Sequence, residues 1–454
     1  MNISHSNASE LLASFFDEGS FVELGAHIRR NARREETEGV VCGYGAVNSR
    51  LVFAFAQDGT RAHGAVDDFH ARKIAALYEL AIKNGAIVIG IFDSNGASIL
   101  DGFSSVSAYG KILRCITDAK GRIPQIALLK GVCNGTMAAA FELFDIKLSA
   151  GDDARLYVAP PSLIGEDNGT PVRLASNGLV DKACADLDSA LESIKELIAL
   201  LPDNCARRAV DTPVDDVQRD CFLDDESVRV CIEEISDGYK YFELSGEYAP
   251  DIITAIAQLG GVSVGIIAND AKVNSARISP EGAEKAAAFI RFCDSFSLPL
   301  ITLASSEGAE MSQRAEDSRI AASMARLANA YAIAKTPKVT LISGKLYGAA
   351  CVLMGAKSLG ADIVYALESA TVGALSPEAA VAFLENSKVD SQQTRKKLEE
   401  EWAQTNLSPE RAAESGDIDD IISPYDARRR ICSAIYMLAE KNTPLCPRHT
   451  GIDF

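Results

Sequence analysis

Residues 123–145, IPQIALLKGVCNGTMAAAFELFD, are echoed at 336–354 by TPKVTLISGKLYGAACVLM, and Pro124, Gly131 and Gly135 answer Pro337, Gly344 and Gly348 at one constant separation along the chain. A shared offset across three backbone-critical residues implies one unit, duplicated. The echo extends upstream, where DSNGAS at 93–98 meets SSEGAE at 305–310, each directly after an apolar run, IVIGIF or PLITLA. Both halves read strand, glycine turn, helix, strand, glycine turn, helix, the alternation expected of a parallel α/β sheet.

A chain of 454 residues exceeds a single core, and two homologous halves fit the usual domain size. The sequence predicts an N-terminal domain over 1–215 and a C-terminal domain over 216–454, joined through the acid-rich stretch 203–227. In the first half it predicts a helical lead-in over 8–35, a hairpin around Asn48-Ser49 and a helix over 66–83 with Phe69, Ile74, Leu77, Leu80 and Ala81 on its apolar face. A strand over Ile87 to Phe92 follows, and a helix introduced by a capping-box spacing at Ser189 to Glu192 closes the half before Pro202. The second half repeats the plan, with VRVCIEEI amphipathic, strands at GVSVGIIAN, PLITLA and VTLIS, helices over 281–295 and 313–335, and a charged helical tail over 390–440 that holds Trp402.

Several function classes fall away on composition. A net charge of −18 would repel a phosphate backbone from most of the surface, so no nucleic-acid partner is expected. No window approaches the roughly eighteen uncharged apolar residues of a membrane span, and the N-terminal residues lack a secretory pattern; a soluble, cytoplasmic protein without membrane insertion is expected. The eleven cysteines include no CxxC pair, and Cys42, Cys133, Cys293 and Cys351 sit in apolar runs that suit reduced core thiols. His5, His27, His63, His70 and His449 have no metal-ligand spacing, and no metal is expected.

Each half carries a Gly-x-x-x-Gly stretch, Gly131–Gly135 and Gly344–Gly348, between a strand and an alanine-rich helix. Such glycines let a ligand approach main-chain N–H groups, where an oxyanion such as a thioester enolate is held. The same glycines serve equally to pack helix on sheet. Neither stretch matches the nucleotide-phosphate patterns GxxxxGK[ST] or GxGxxG.

The blocks EGVVCGYGAV, FAQDGT, HARKIAALYELAIKNGAIVIGIFDSNGA, IPQIALLKGVCNG, EYAPDIITAIAQLGG, AAFIRFCDSFSLPLITL and TPKVTLISGKLYGAA, in this order, resemble the carboxyltransferase subunit of biotin-dependent acyl-CoA carboxylases and decarboxylases. That resemblance spans roughly residues 8–450 and implies a duplicated crotonase-type α/β spiral fold of two homologous domains built from ββα repeats. It implies a first oxyanion hole at Gly135 and Thr136 for the acyl-CoA enolate, and a second at Gly348, Ala349 and Ala350 for the biotin ureido carbonyl. By the same resemblance Gly64, Ala65, Lys73, Gly96 and Ala97 line the coenzyme A side, with Arg61 and Arg72 as further phosphate candidates, and Tyr347 lines the biotin side. These cations equally suit a solvated helix face, His70 a structural neighbour and Tyr347 a packed ring.

The implied chemistry moves a carboxyl group between biotin N1 and the acyl α-carbon, and needs no side-chain nucleophile. The implied partners are a separate biotin carrier protein, biotin carboxylase or decarboxylase subunits and further copies of the chain in a dimer-based ring. Four departures stand out: Ser98 where many members carry arginine, Thr136 in place of a glycine, Ser305 to Glu310 in place of an Asp-x-Pro-Gly-Phe turn, and a shortened form of the family's histidine-containing segment before the 180s. Val352, at a position that varies with the acyl pocket, hints at a small acyl group. Two other readings stay open, a noncatalytic scaffold paralogue and a crotonase-type thioester hydrolase or isomerase. The last would need a carboxylate near the first bend, and Glu142 is expected to face away.

Overall fold

The computed structural model describes residues 7–28, 39–207, 215–223, 227–385, 388–389 and 391–441, and these fall into two compact units, 7–207 and 215–441. In the first unit the strands are β1 (Val22–Leu24), β2 (Val40–Val47), β3 (Arg50–Gln57), β4 (Ile87–Ser94), β5 (Gln125–Asn134), β6 (Ile146–Ala150), β7 (Arg155–Tyr157) and β8 (Lys182–Cys184). They form one sheet in the order β1-β2-β3-β4-β5-β6-β8, with β7 paired to the end of β5. The first three strands are antiparallel and the rest parallel. Asn48 and Ser49, both at positive φ (51° and 64°), close the predicted hairpin between β2 and β3, the conformation that two-residue hairpin turns require.

The second unit repeats this strand for strand. It contains β9 (Tyr241–Leu244), β10 (Ile252–Leu259), β11 (Val262–Asn269), β12 (Leu300–Ser306), β13 (Lys338–Tyr347), β14 (Ile363–Leu367), β15 (Thr371–Gly373) and β16 (Asp420–Ile422). Their order is β16-β14-β13-β12-β11-β10-β9, with β15 on the end of β13. Each unit has its own core: Phe55, Phe92, Phe141 and Phe144 meet edge to face in the first, and Ile253, Val264, Ile266, Leu303 and Leu341 are buried in the second. The duplicated α/β plan expected from the sequence is the fold observed.

Local boundaries differ where side chains override pattern. The lead-in helix is only Asn7–Phe15 and gives way to β1; residues 29–35 of that expectation lie outside the described residues. Helix Leu187–Leu200 begins at Asp186, which accepts from the Ser189 amide, so Ser189 is the third helical residue of the capping box and not its start. The expected helix over 313–335 is two, Gln313–Asp317 and Ile320–Ile333, broken at Arg319 in the left-handed region (φ 63°). The tail contributes an edge strand, β16, as well as helices. Helix Asp68–Asn84 buries Ile74, Leu77 and Ala81 as expected but leaves Leu80 part-exposed, while Tyr78, His70 and Lys73 are buried. Of the linker 203–227, residues 208–214 and 224–226 lie outside the described residues.

The glycine stretches are not five-residue turns. β5 runs through Gly131 to Asn134, and β13 runs through Gly344 to Tyr347. A Cβ on Gly131 would collide with the Asp93 carboxylate, so this glycine makes room for a side chain on the neighbouring strand. Only Gly135 and Gly348 turn the chain. The helices they open are short, Thr136–Glu142 and Ala350–Leu353.

Candidate active site

In the first unit two loops meet where the parallel strands β4 and β5 end. Gly135 stands at φ 56°, ψ −129° with nothing within 4 Å of a would-be Cβ, so the backbone alone demands glycine there. Its amide donates to the Tyr157 carbonyl at 3.0 Å, which fastens the bend to β7. Beside it the Asn134 side-chain Nδ2 donates to the Asn95 carbonyl at 3.2 Å and ties the bend to the turn after β4. That turn is stitched in turn to residues 63–66. The Asn95 amide donates to His63 O (2.9 Å), Val66 N to Gly96 O (2.8 Å) and Ser98 N to Val66 O (2.9 Å). The Ser94 hydroxyl donates to Gly64 O at 2.7 Å. Gly64, Ala65, Gly96, Ala97, Gly135 and Thr136 therefore lie on one loop cluster.

The main-chain donors sort into two groups. Gly135 N–H is occupied by Tyr157, so its part is to shape the bend, a correction to the expectation that it donates to a ligand. Among the described residues the amides of Ala97 and Thr136 have no acceptor, and the exposed Thr136 hydroxyl has no partner either. A helix start leaves such N–H groups without intrahelical partners.

The second unit reproduces this wiring at the equivalent positions of the repeat. Gly348 (φ 57°) donates to Gly373 O at 3.0 Å, Ile278 N donates to Gly308 O at 2.9 Å, Glu310 N to Ile278 O at 2.9 Å, and Gly308 N to the Ser306 hydroxyl at 3.2 Å. Ala309, Ala349 and Ala350 present amides with no acceptor among the described residues. Gly348, like Gly135, shapes rather than donates.

Other expected site residues are placed elsewhere. Lys73 is buried and its ammonium donates to the Val40 carbonyl at 2.7 Å. Lys285, its counterpart in the second unit, donates at 2.7 Å to the carbonyl of Ile252, the counterpart of Val40. Two lysines on the same internal anchor identify a structural part of the repeat, so Lys73 is not available to a phosphate. Arg72 is exposed and paired with Asp68 at 2.6 Å, and Arg61 lies 3.5 Å from Asp58. Tyr347 is buried, its hydroxyl 2.8 Å from that of Thr371. Val352 is exposed.

Burial shifts several titratable side chains around the first cluster away from neutral pH. His70 is fully buried 3.2 Å from Gln57, and burial, with Lys73 nearby, lowers its pKa to about 3. Burial pushes the Tyr109 hydroxyl up to about 12 and raises the Cys133 thiol well above its ordinary value. Glu142 pairs with Lys147 at 2.7 Å. Sequence reasoning missed Asp93, whose amide donates to Gln57 at 3.1 Å and whose carboxylate pairs with Lys130 at 2.9 Å in the space left by Gly59 and Gly131. The signal was a glycine inside a strand, which marks a close approach. Among the described residues no group of acids, cysteines and histidines could hold a metal, and no helix is long and apolar enough to cross a membrane.

Residues 7–452 match the family described as carboxyl transferase domain. A putative propionyl-CoA carboxylase beta chain of Bacillus subtilis is 34% identical, over 96% of this chain and 90% of that protein. The methylmalonyl-CoA decarboxylase subunit alpha of Veillonella parvula is 33% identical, over 98% of this chain and 92% of its own. The crystal structure of transcarboxylase 12S, a hexamer assembly with methylmalonyl-coenzyme A and methylmalonic acid bound, superposes with a TM-score of 0.90 at 30% identity and covers 98% of this chain and 92% of that one.

Proposed function

The chain belongs to the carboxyl transferase domain family, and on that premise we propose that it is a biotin-dependent acyl-CoA carboxyltransferase that moves a carboxyl group between biotin on a separate carrier protein and the α-carbon of a small acyl-CoA. Biotin supplies a ring nitrogen that accepts and releases the carboxyl group. The chain supplies main-chain donors. The observation that carries the reading is the presence, in both units, of main-chain amides with no acceptor among the described residues beside a positive-φ glycine bend: Ala97 and Thr136 in the first, Ala309, Ala349 and Ala350 in the second.

In this reading the first unit is the acyl-CoA side. Ala97 and Thr136 N–H hold the thioester oxygen, which gains negative charge as the α-carbon becomes nucleophilic or loses its carboxyl group. A donor fixed in place strengthens as that charge develops, so the enolate is favoured over the ground-state carbonyl. The second unit is the biotin side, where Ala349 and Ala350 N–H polarise the ureido oxygen.

Gly64, Ala65 and Gly96 form the main-chain wall against which coenzyme A lies, and Tyr347 braces the biotin-side wall through Thr371. A biotin carrier protein, a biotin carboxylase or decarboxylase subunit, a ring of further copies and a cytoplasmic setting complete the proposal; the hexameric relative supports the ring. Decarboxylase alpha subunits among the relatives favour a second direction, loss of the carboxyl group from methylmalonyl-CoA within a sodium-pumping complex. The test is transfer of labelled carboxyl from malonyl-CoA or methylmalonyl-CoA to free biotin by the purified chain. Release of coenzyme A without any need for biotin would indicate a hydrolase, and no binding of acyl-CoA at millimolar concentration a scaffold.

A further inference from the structure

The two clusters share their wiring but not their charge. In the second unit the bridge between Ile278 and Ala309 brings Arg277 against the turn, and the pairing of Ser306 with Leu346 brings Lys345 beside it. Both cations face Glu307, Arg277 at 3.8 Å and Lys345 at 3.7 Å. The same bridges in the first unit, Val66 with Ala97 and Ser94 with Cys133, bring Ala65, Asn95 and Val132 to the equivalent places. Duplication thus supplies an internal control: one scaffold, with two cations and an acid at these three places in one copy and uncharged residues at them in the other.

The spacing tells what the charges can still do. At 3.7–3.8 Å Glu307 attracts the two cations without a good hydrogen bond to either, and strong N–H···O bonds to carboxylates lie near about 2.7–2.9 Å. The Arg277 Nε is buried and has no partner among the described residues, and Lys345 is 64% exposed with no nearer acceptor. Two positive charges and one negative leave the group net positive on a chain whose overall charge is −18. Arg277, next to the Ile278 that bridges to Ala309, and Glu307, two residues before it, stand beside the Ala309 amide, which has no acceptor among the described residues.

We propose that Arg277 and Lys345, held together by Glu307 beside the Ala309 amide, form a carboxylate-binding subsite in the second unit, and that its ligand is the carboxyl group in transit on that side of the reaction. This rests on the assignment of the second unit to the biotin side. A carboxylate placed between the cations offers two oxygens to donors that Glu307 leaves unsatisfied, whereas the three equivalent places in the first unit, Ala65, Asn95 and Val132, carry no charge.

The probe is acetate, followed through saturation transfer from the protein to its methyl group in NMR, with acetamide as the neutral comparison. Acetate is expected to receive saturation and acetamide not, with an apparent Kd that rises with added sodium chloride. Arg277→Met and Lys345→Met each raise that Kd about three- to tenfold, the effect of a partly exposed charge pair. Glu307→Gln lowers it by a similar factor, and Arg314→Met, an exposed arginine already paired with Glu281 and Glu310, leaves it unchanged. Equal acetate binding in wild type, Arg277→Met and Lys345→Met overturns the subsite, as does no acetate signal in the wild type. Carboxyl transfer to biotin is measured separately on the same preparations. If transfer is absent while acetate binding still depends on Arg277 and Lys345, the carboxyltransferase reading fails and the subsite stands; if transfer occurs and acetate binding ignores both residues, the reverse holds.

Discussion

His70 sits where a catalytic base would be sought, and its surroundings argue against that role. Burial removes the solvation an imidazolium needs, and Lys73 adds a like charge, so its pKa falls from 6.5 to about 3. The unfolded chain binds a proton at this residue as pH drops below 6.5, whereas the folded chain does not until about pH 3. Stability from this residue is therefore complete above pH 6.5 and is lost progressively as pH falls toward 3. At pH 5 the loss is about 2 kcal/mol, from about 1.36 kcal/mol for each pKa unit. His70→Gln, which keeps a neutral polar side chain beside Gln57, is expected to flatten the decline in urea-unfolding free energy between pH 7 and pH 5 by about that amount. An unchanged slope in the variant would mean that the buried imidazole is charged. The Gln57 that meets His70 also accepts from the Asp93 amide, so the histidine reaches the end of β4 as a positioning neighbour.

At the scale of elements, one anchor is built twice, by lysines reaching from helix Asp68–Asn84 to the first residue of β2 and from helix Pro280–Ser295 to the first residue of β10. Each closes a helix onto the antiparallel edge of its sheet. Lys73→Met is expected to destabilise the first unit by about 1–3 kcal/mol, because the Val40 carbonyl loses a charged donor in a buried place, with the KM for acyl-CoA unchanged. Lys285→Met should cost more, since its ammonium also serves Ser245 and Tyr248. A raised KM with unaltered urea midpoint would return Lys73 to a phosphate-binding role. Sequence alone could not tell these outcomes apart, because a lysine on an amphipathic helix reads the same whether its head reaches solvent or a carbonyl. The strands, the β2–β3 hairpin and the two positive-φ glycines were legible, because apolar runs and turn residues carry that information locally. The reach of β5 past Gly131, the break at Arg319 and the short helices after the bends were not. They depend on the Asp93 carboxylate, on the pairing with β7 and on a left-handed residue, none of which leaves a periodic trace. The engaged amides of Gly135 and Gly348 belong to the same class, since their acceptors, Tyr157 and Gly373, lie well beyond the bend in the chain.

For the whole molecule the duplication makes a prediction that neither unit makes alone. If the units divide the reaction as proposed, damage to equivalent residues must have unlike kinetic signatures. Gly135 (φ 56°) and Gly348 (φ 57°) share a positive φ with their amides tied to a neighbouring strand, and valine is strongly disfavoured at positive φ. Each substitution shifts the next amides, Thr136 in one unit and Ala349 in the other, by strain of about 1–3 kcal/mol. Loss of an aligned oxyanion donor costs about 2.7–4 kcal/mol of barrier, so carboxyl transfer from methylmalonyl-CoA to free biotin should fall by a factor on the order of 100–1000 in both variants. The substrate dependence should separate them. Gly135→Val weakens acyl-CoA binding in calorimetric titration and leaves the KM for biotin near wild type, whereas Gly348→Val does the opposite. Two variants that both lose acyl-CoA binding, or both retain full transfer, would show that the repeated bends are a packing device carried in duplicate. A clean exchange of signatures would instead assign one substrate to each copy.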